Sequence, residues 1–254
     1  MRENKTRIKE PIFKKALIML VLCMSITGAS AYLLKFGVTN WNYLQMKDSE
    51  VAGTIHINPD IIHIALSEFK GENLYLLEDD AVRDRLAQLP CVKDVKILRI
   101  FPSTLKVVIE ERLPIAYIQT DQNEYFLIDE QGVLLDKIEF AGSVDMPVFC
   151  EISINNLTLG QEVSDTNFKI LLNVYKALKM KYPDFLASVA ELYIEDGDVI
   201  ISEQERGVRF IIGDRDFDER LEKLVFAYQN FGVATYSEID VRFSDPIHEL
   251  VILR

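Results

Sequence analysis

Near the N-terminus, 19 successive uncharged residues (16–34) make a run that as a helix reaches roughly 28 Å, close to the hydrocarbon thickness of a bilayer. Residues 35–48 follow as a polar and aromatic spacer, with Trp41 and Tyr43 placed as interface anchors. The pattern then turns to short amphipathic elements. Residues 51–57 read as a strand ending in Asn58-Pro59, a helix N-cap followed by proline at the first helical position. Ile62, Ala65, Leu66 and Phe69 share one helical face, and Gly71 stops that helix. A second helix starts at Asp79, turns Val82, Leu86 and Leu89 inward, and ends at Pro90. Strands over 92–101 and 104–112 follow, joined by Pro102-Ser103. The order β-α-α-β-β makes one small module, given the bounds 49–113.

From Pro114 onward the chain reads as a second, mainly antiparallel β domain, 114–254, with two helices packed on one sheet. Strands are expected over 115–119, 124–129, 133–138, 189–195, 199–203, 208–212, 237–243 and 248–253. Asp196-Gly197 predicts a tight hairpin. One helix, 166–182, places Phe168, Leu171, Leu172, Tyr175 and Leu178 on a single face. The other opens with the capping box Asp216-x-x-Glu219, carries the stripe Phe217, Leu221, Leu224, Tyr228 and Phe231, and stops at Gly232. The fold class is α+β: a single N-terminal transmembrane helix, the small module and the β domain.

Charge orients this layout. Residues 1–15 hold Arg2, Lys5, Arg7, Lys9, Lys14 and Lys15 against Glu3 and Glu10, a balance of +4. Basic flanks remain on the cytoplasmic side, so this short tail is expected inside and the 220 residues after the run outside. A cleavable signal peptide with Ala29-Ser30-Ala31 as its site is the competing reading. The run is longer than such signals use, and Tyr32, Leu33 and Leu34 continue past the cut, so a retained anchor is preferred. The exported part carries 22 basic and 38 acidic residues, a balance of −16, which lacks the basic footprint of a nucleic-acid binder. Its two cysteines, Cys91 and Cys150, form no disulfide framework and read as buried free thiols, with pairing as the alternative.

Chemistry is sparse. His56, His63 and His248 lack zinc-ligand spacing, and there is no nucleophile elbow, S-x-x-K or phosphate loop. Acids such as Asp79-Asp80 and Asp214, Asp216, Asp218 and Glu219 stand at helix starts, where they complement the helix dipole. No catalytic, cofactor-binding or metal-ligating residue, and no small-molecule substrate, is expected.

An ordered series of short motifs nevertheless carries a resemblance. Val51-x-Gly53, Gly71-x-Asn73-Leu74, Leu89-Pro90-x-Val92 and Val95-x-x-x-Arg99-x-x-Pro102-x-x-Leu105 resemble the POTRA domain of the FtsQ/DivIB cell-division family. Glu111-Arg112-x-Pro114-x-Ala116 is similar to that family's junction between the POTRA and β modules, and Asp129-x-x-Gly132 and Ile239-Asp240-Val241-Arg242-Phe243 also match the family. Most of these positions also have plain structural readings: Gly53 as a bulge, Gly71 as a left-handed cap, Arg99 as a surface charge or, alternatively, an orienting contact. The resemblance implies a divisome scaffold in the cytoplasmic (inner) membrane at the septum, binding FtsB/FtsL-like membrane-anchored coiled-coil proteins and helping control septal wall synthesis. It also implies that Arg242, Phe243, Ser244 and Asp245 contact that partner, beside a sheet edge open to β-augmentation. Strand alternation places Ile239, Val241 and Phe243 on one face, so a core role for Phe243 stands beside the contact role. Residues 247–253, which go beyond the family's pattern, are candidates to fold back over that edge. Rival readings are a POTRA chaperone module for outer-membrane protein assembly or secretion, and an anchored wall enzyme.

The anchor has a direct test. Leu22→Lys should hinder insertion of the run by ~2.5–3.5 kcal/mol, read as a loss of correctly oriented protein from the membrane fraction; full insertion would undo the anchor assignment.

Overall fold

An apolar helix, α1 (Ile12–Thr39), opens the structure, and its stretch Lys14–Gly37 is long and apolar enough to cross a membrane. The computed structural model describes residues 12–39, 42–139, 145–152, 158–230, 236–243 and 252–253, with backbone alone for 12, 13, 38, 39, 252 and 253. The chain divides into two compact units. One gathers Met1–Ala52, Asn58–Arg83 and Lys96–Val108; the other gathers Gly53–Ile57, Asp84–Val95 and Ile109–Arg254.

The small module is built from β1 (Asp48–Ala52), α2 (Pro59–Leu66), α3 (Asp79–Ala87), β2 (Val92–Ile100) and β3 (Thr104–Glu111), in the predicted β-α-α-β-β order. Its sheet runs β1-β3-β2, with β1 parallel to β3 from Asp48 opposite Thr104 to Ala52 opposite Val108. Asn58 caps α2 as its sequence requires, Oδ1 accepting from Asp60 N at 3.0 Å. The predicted face (Ile62, Ala65, Leu66, Phe69) is buried, together with Leu74, Leu105 and Val107.

Three local expectations need correction. The first strand covers 48–52 rather than 51–57. Gly53 ends it at φ +83°, where a Cβ would stand 2.3 Å from the Ile109 carbonyl oxygen. The next backbone donors leave the ladder: Ile55, His56 and Ile57 N–H donate to the Glu111 carboxylate at 2.7, 3.0 and 2.9 Å. Arg99, read as a surface charge, is an orienting contact. Its guanidinium donates to the carbonyls of Leu74 (2.7 Å) and Leu77 (2.5 Å) and pairs with Asp79. Cys91 is half-buried rather than buried, and it and Cys150 are both free thiols.

The second sheet holds β4 (Pro114–Thr120), β5 (Tyr125–Asp129), β6 (Leu134–Ile138), β7 (Val148–Ile152), β8 (Val189–Glu195), β9 (Asp198–Glu203), β10 (Arg209–Gly213), β11 (Glu238–Asp240) and β12 (Ile252–Leu253). Its order is β12-β11-β10-β9-β8-β7-β4-β5-β6. The pairs β4–β7, β7–β8 and β10–β11 are parallel and the rest antiparallel. Strand β7 was absent from the sequence reading, as was the short helix α5 (Pro183–Leu186) after α4 (Thr166–Lys181). The hairpin at Asp196-Gly197 forms with both residues at positive φ, 52° and 90°.

Helix α4 lies on β7 and β8, and α6 (Phe217–Asn230) on β10. All five predicted α4 residues are buried, and the Phe149 ring meets Phe168 and Tyr175, each at 5.9 Å between centroids. From α6, Leu221 and Leu224 are buried while Phe217 and Tyr228 pack partly buried against the same core; Phe231 and Gly232 lie outside the described residues. The capping box does not form: Asp216 takes φ +52° instead of an extended cap, and Glu219 accepts from Lys223 at 2.7 Å.

Glu111 offers a test of how the loop after β1 is held. Burial works to raise its carboxyl, but the N–H groups of Ile57, His56 and Ile55 and the His56 ring outweigh it and hold it below the usual carboxylate range. A depressed folded-state value means the stabilisation is complete at neutral pH and is lost as pH falls below about 4.3 towards that lower value. Glu111→Gln should cost ~1.5–3 kcal/mol at pH 7 and flatten the acid limb of stability against pH, measured by urea unfolding across pH.

Candidate partner-binding site

The site indicated by the sequence stands at the end of the large sheet that finishes in β10, β11 and β12. β11 runs parallel to β10, pairing Arg209 with Glu238 and Ile211 with Asp240. The backbone N–H of Val241 adds one more bond to the Ile211 carbonyl at 3.1 Å. β12 then pairs antiparallel, Ile239 opposite Leu253 and Asp240 opposite Ile252. The strand expected over 237–243 is thus three residues long. Of the segment 247–253, residues 252 and 253 lie along the outer side of β11, and 247–251 fall outside the described residues.

Arg242 and Asp240, assigned by alternation to one face, are bonded to each other. The Arg242 guanidinium donates from Nε to Asp240 Oδ1 (2.9 Å) and from Nη2 to Oδ2 (2.6 Å), while Nη1 reaches Asp198 Oδ2 at 2.6 Å. These bonds, Asp240's first, raise the Arg242 pKa despite burial, keeping it charged at any ordinary pH. Asp240 is 5% exposed, and this fork, with the Arg242 backbone N–H donating to Oδ1 at 3.0 Å, offsets the cost of burying its charge. Asp198, on the β8–β9 hairpin, was not anticipated, because it lies 44 residues away in sequence.

The alternation rule fails at Phe243. Ile239 and Val241 are buried, yet Phe243 is 48% exposed, because the strand has ended at Asp240 and the chain no longer alternates. Its ring lies 5.7 Å from Arg242 Cζ, a cation–π contact that holds the aromatic beside the clamped guanidinium. Ser244 and Asp245 lie outside the described residues. Beneath the group, Gly213 adopts φ +92°, and a Cβ there would meet Arg220 Nη1 at 2.0 Å and Arg242 Cγ at 3.1 Å. Arg220, buried on α6, donates to the Ile212 carbonyl at 2.7 Å. Glycine thus lets two arginines crowd one turn, a requirement that the isolated Gly213 did not betray in the sequence.

Elsewhere in the same unit, a cleft of about 470 Å³ is lined by residues including Gly53, Ile55, Arg112 and Lys179. Its cations are already paired: Lys93 with Glu110 (2.5 Å), Arg112 with Asp129 (2.6 Å) and Lys179 with Glu130 (3.2 Å). Among the described residues no His, Cys, Asp and Glu group is arranged to hold a metal ion. Burial pushes the Cys150 thiol up to about 12, helped by the carboxylates of Glu191 and Glu151. Burial also raises Cys91.

Comparison with known proteins gives two successive family matches. Residues 45–112 match the family described as POTRA domain, FtsQ-type, and residues 116–242 match Cell division protein FtsQ/DivIB, C-terminal. The chain is 28% identical over 140 residues to the cell division protein DivIB of Clostridium acetobutylicum, covering 55% of this chain and 56% of that one. Against the cell division protein FtsQ of Geotalea daltonii it is 25% identical over 231 residues, 90% of this chain and 82% of the relative. Against FtsQ of Koribacter versatilis it is 25% identical over 218 residues, 84% and 62%. The match therefore spans less than two thirds of the clostridial and Koribacter proteins.

The two halves of the site should separate on mutation. Arg242→Ala removes the guanidinium bonds to buried Asp240 and should cost ~1.5–3 kcal/mol, whereas Phe243→Ala should stay within about 0.5 kcal/mol of the parent. Denaturant unfolding of both variants checks this; equal large losses would return Phe243 to the core.

Proposed function

The chain belongs to the FtsQ/DivIB family of cell-division proteins, and on that premise we propose that it acts as a bitopic divisome scaffold rather than an enzyme. The basic tail (1–15) stays in the cytoplasm, residues 16–34 cross the membrane, 35–48 form a spacer, and the POTRA domain (49–113) and β domain (114–254) work outside, at the septum. The β domain receives an FtsB/FtsL-like membrane-anchored coiled-coil protein around Arg242, Phe243, Ser244 and Asp245, and this recruitment helps control septal wall synthesis.

The observation that supports this reading is the Phe243 ring, which stands half in water beside a guanidinium fixed by two carboxylates. A pre-positioned aromatic loses little side-chain freedom on docking, the property expected of an interface anchor. The outer side of β11 is already paired by β12, so the reading rests on the exposed ring rather than on an open strand edge.

Photo-crosslinking in cells from position 243, with the captured protein identified, tests the assignment. Capture of a small single-span coiled-coil protein is expected. Capture of outer-membrane or secretion components instead would replace the scaffold by a chaperone role. In the purified pair, Phe243→Ala should weaken binding by ~2 kcal/mol, about thirtyfold; a folded variant with unchanged affinity removes Phe243 from the interface.

A further inference from the structure

The loop between α2 and α3 carries an apolar pair that the fold holds outward. Leu74 and Leu77 point into the core, at 0% and 6% exposure, while the residues between them, Tyr75 and Leu76, are 63% and 51% exposed. This arrangement is rigidly specified. Asn73 Oδ1 accepts from Tyr75 N at 2.9 Å, and the Asn73 carbonyl accepts from Leu76 N and Leu77 N, each at 2.9 Å. Arg99 crosses from β2 to take the carbonyls of Leu74 and Leu77. With both flanking leucines buried and the backbone bonded from two sides, Tyr75 and Leu76 have no route inward.

The same loop is tied to the segment that leaves α1. Leu74 N donates to the Leu44 carbonyl (2.9 Å), Met46 N to Glu72 (2.8 Å) and Gly71 N to Met46 (2.9 Å), with Gln45 and Asn73 bridged between them. Met46 is 1% exposed, so the tie is sealed into the core. Asn42–Leu44 is a 3₁₀ turn, contracted to ~2 Å per residue. Leu44 lies five positions after Thr39, the last residue of α1. Even fully stretched through residues 40 and 41, that segment reaches no more than ~15 Å. Leu74, bonded to Leu44, is therefore held close to where the apolar helix ends. Tyr43, 56% exposed, belongs to the same short stretch.

We propose that Tyr75 and Leu76, with Tyr43, seat this unit on the lipid surface that α1 enters, in the headgroup zone of the bilayer. A tyrosine ring with an apolar body and a polar tip suits that zone, and a leucine beside it supplies apolar area. Neighbouring charges are mixed, Lys70 against Glu72 and Glu78, which fits a zwitterionic surface better than a strongly anionic one. The seat rests on the reading of α1 as a retained span, and it adds what a span alone lacks: a second contact that fixes the height of the unit above the membrane.

The full chain, reconstituted in phosphatidylcholine vesicles, carries Tyr75→Trp in a Trp41→Phe background, which leaves the introduced indole as its single tryptophan. Lipids brominated near the headgroup end of one acyl chain should quench that indole's emission relative to unbrominated lipids, and Leu76→Glu in the same chain should remove most of that loss. If the chain resists carbonate extraction and the indole at position 75 is equally bright in both lipids, the seat is overturned and the span stands. Quenching that survives Leu76→Glu also overturns it. Release of the chain by carbonate removes the span and the seat together.

Discussion

A carboxylate taken out of water must be given donors, and in this acidic chain that requirement organises the turns. Glu111 gathers three successive N–H groups of the loop after β1. Asp129 accepts from Gln131 N (2.9 Å), Val133 N (2.8 Å) and Arg112, closing the β5–β6 turn. Glu203 accepts from Arg206 N at 2.8 Å, and Asp240 takes both arms of Arg242. Each acid is satisfied within its own neighbourhood, so burial that would otherwise cost several kcal/mol becomes a local geometric constraint. Arginines do the complementary work on carbonyls, Arg99 on Leu74 and Leu77 and Arg220 on Ile212.

Elements with one-sided burial were legible. The faces of α2 and α4 follow the 3.6-residue period because each has a single apolar partner surface, and Asp196-Gly197 declares its hairpin through the positive φ that both positions require. β7 escaped for a physical reason. It is an inner strand between parallel neighbours, and Glu151 at φ +58° interrupts its pleat where the register with β4 shifts. Arg99 escaped because the carbonyls it caps are 25 and 22 residues away. No local pattern encodes such a pairing.

The site follows the same rule. Arg242 and Asp240 could be placed on one face from alternation alone, but the third member, Asp198, comes from another hairpin. Phe243 was ambiguous because alternation continues on paper after the ladder has stopped. In the folded chain the large sheet supplies a floor, the ion pairs fix the arginine, and the aromatic is left half-exposed beside it. Rigidity in the strands and availability at their end are thus products of one packing arrangement.

The buried Cys150 carries a consequence for the redox chemistry of its unit. Thiolate, not thiol, attacks disulfides and oxidants. Pushed up to about 12 by burial, with two carboxylates nearby, the Cys150 thiol stays protonated at neutral pH. Half-buried Cys91 is pushed the same way by burial, then by Asp136 and Glu111. Both thiols are therefore held in the protonated, poorly nucleophilic form, which makes them slow partners for thiol–disulfide exchange.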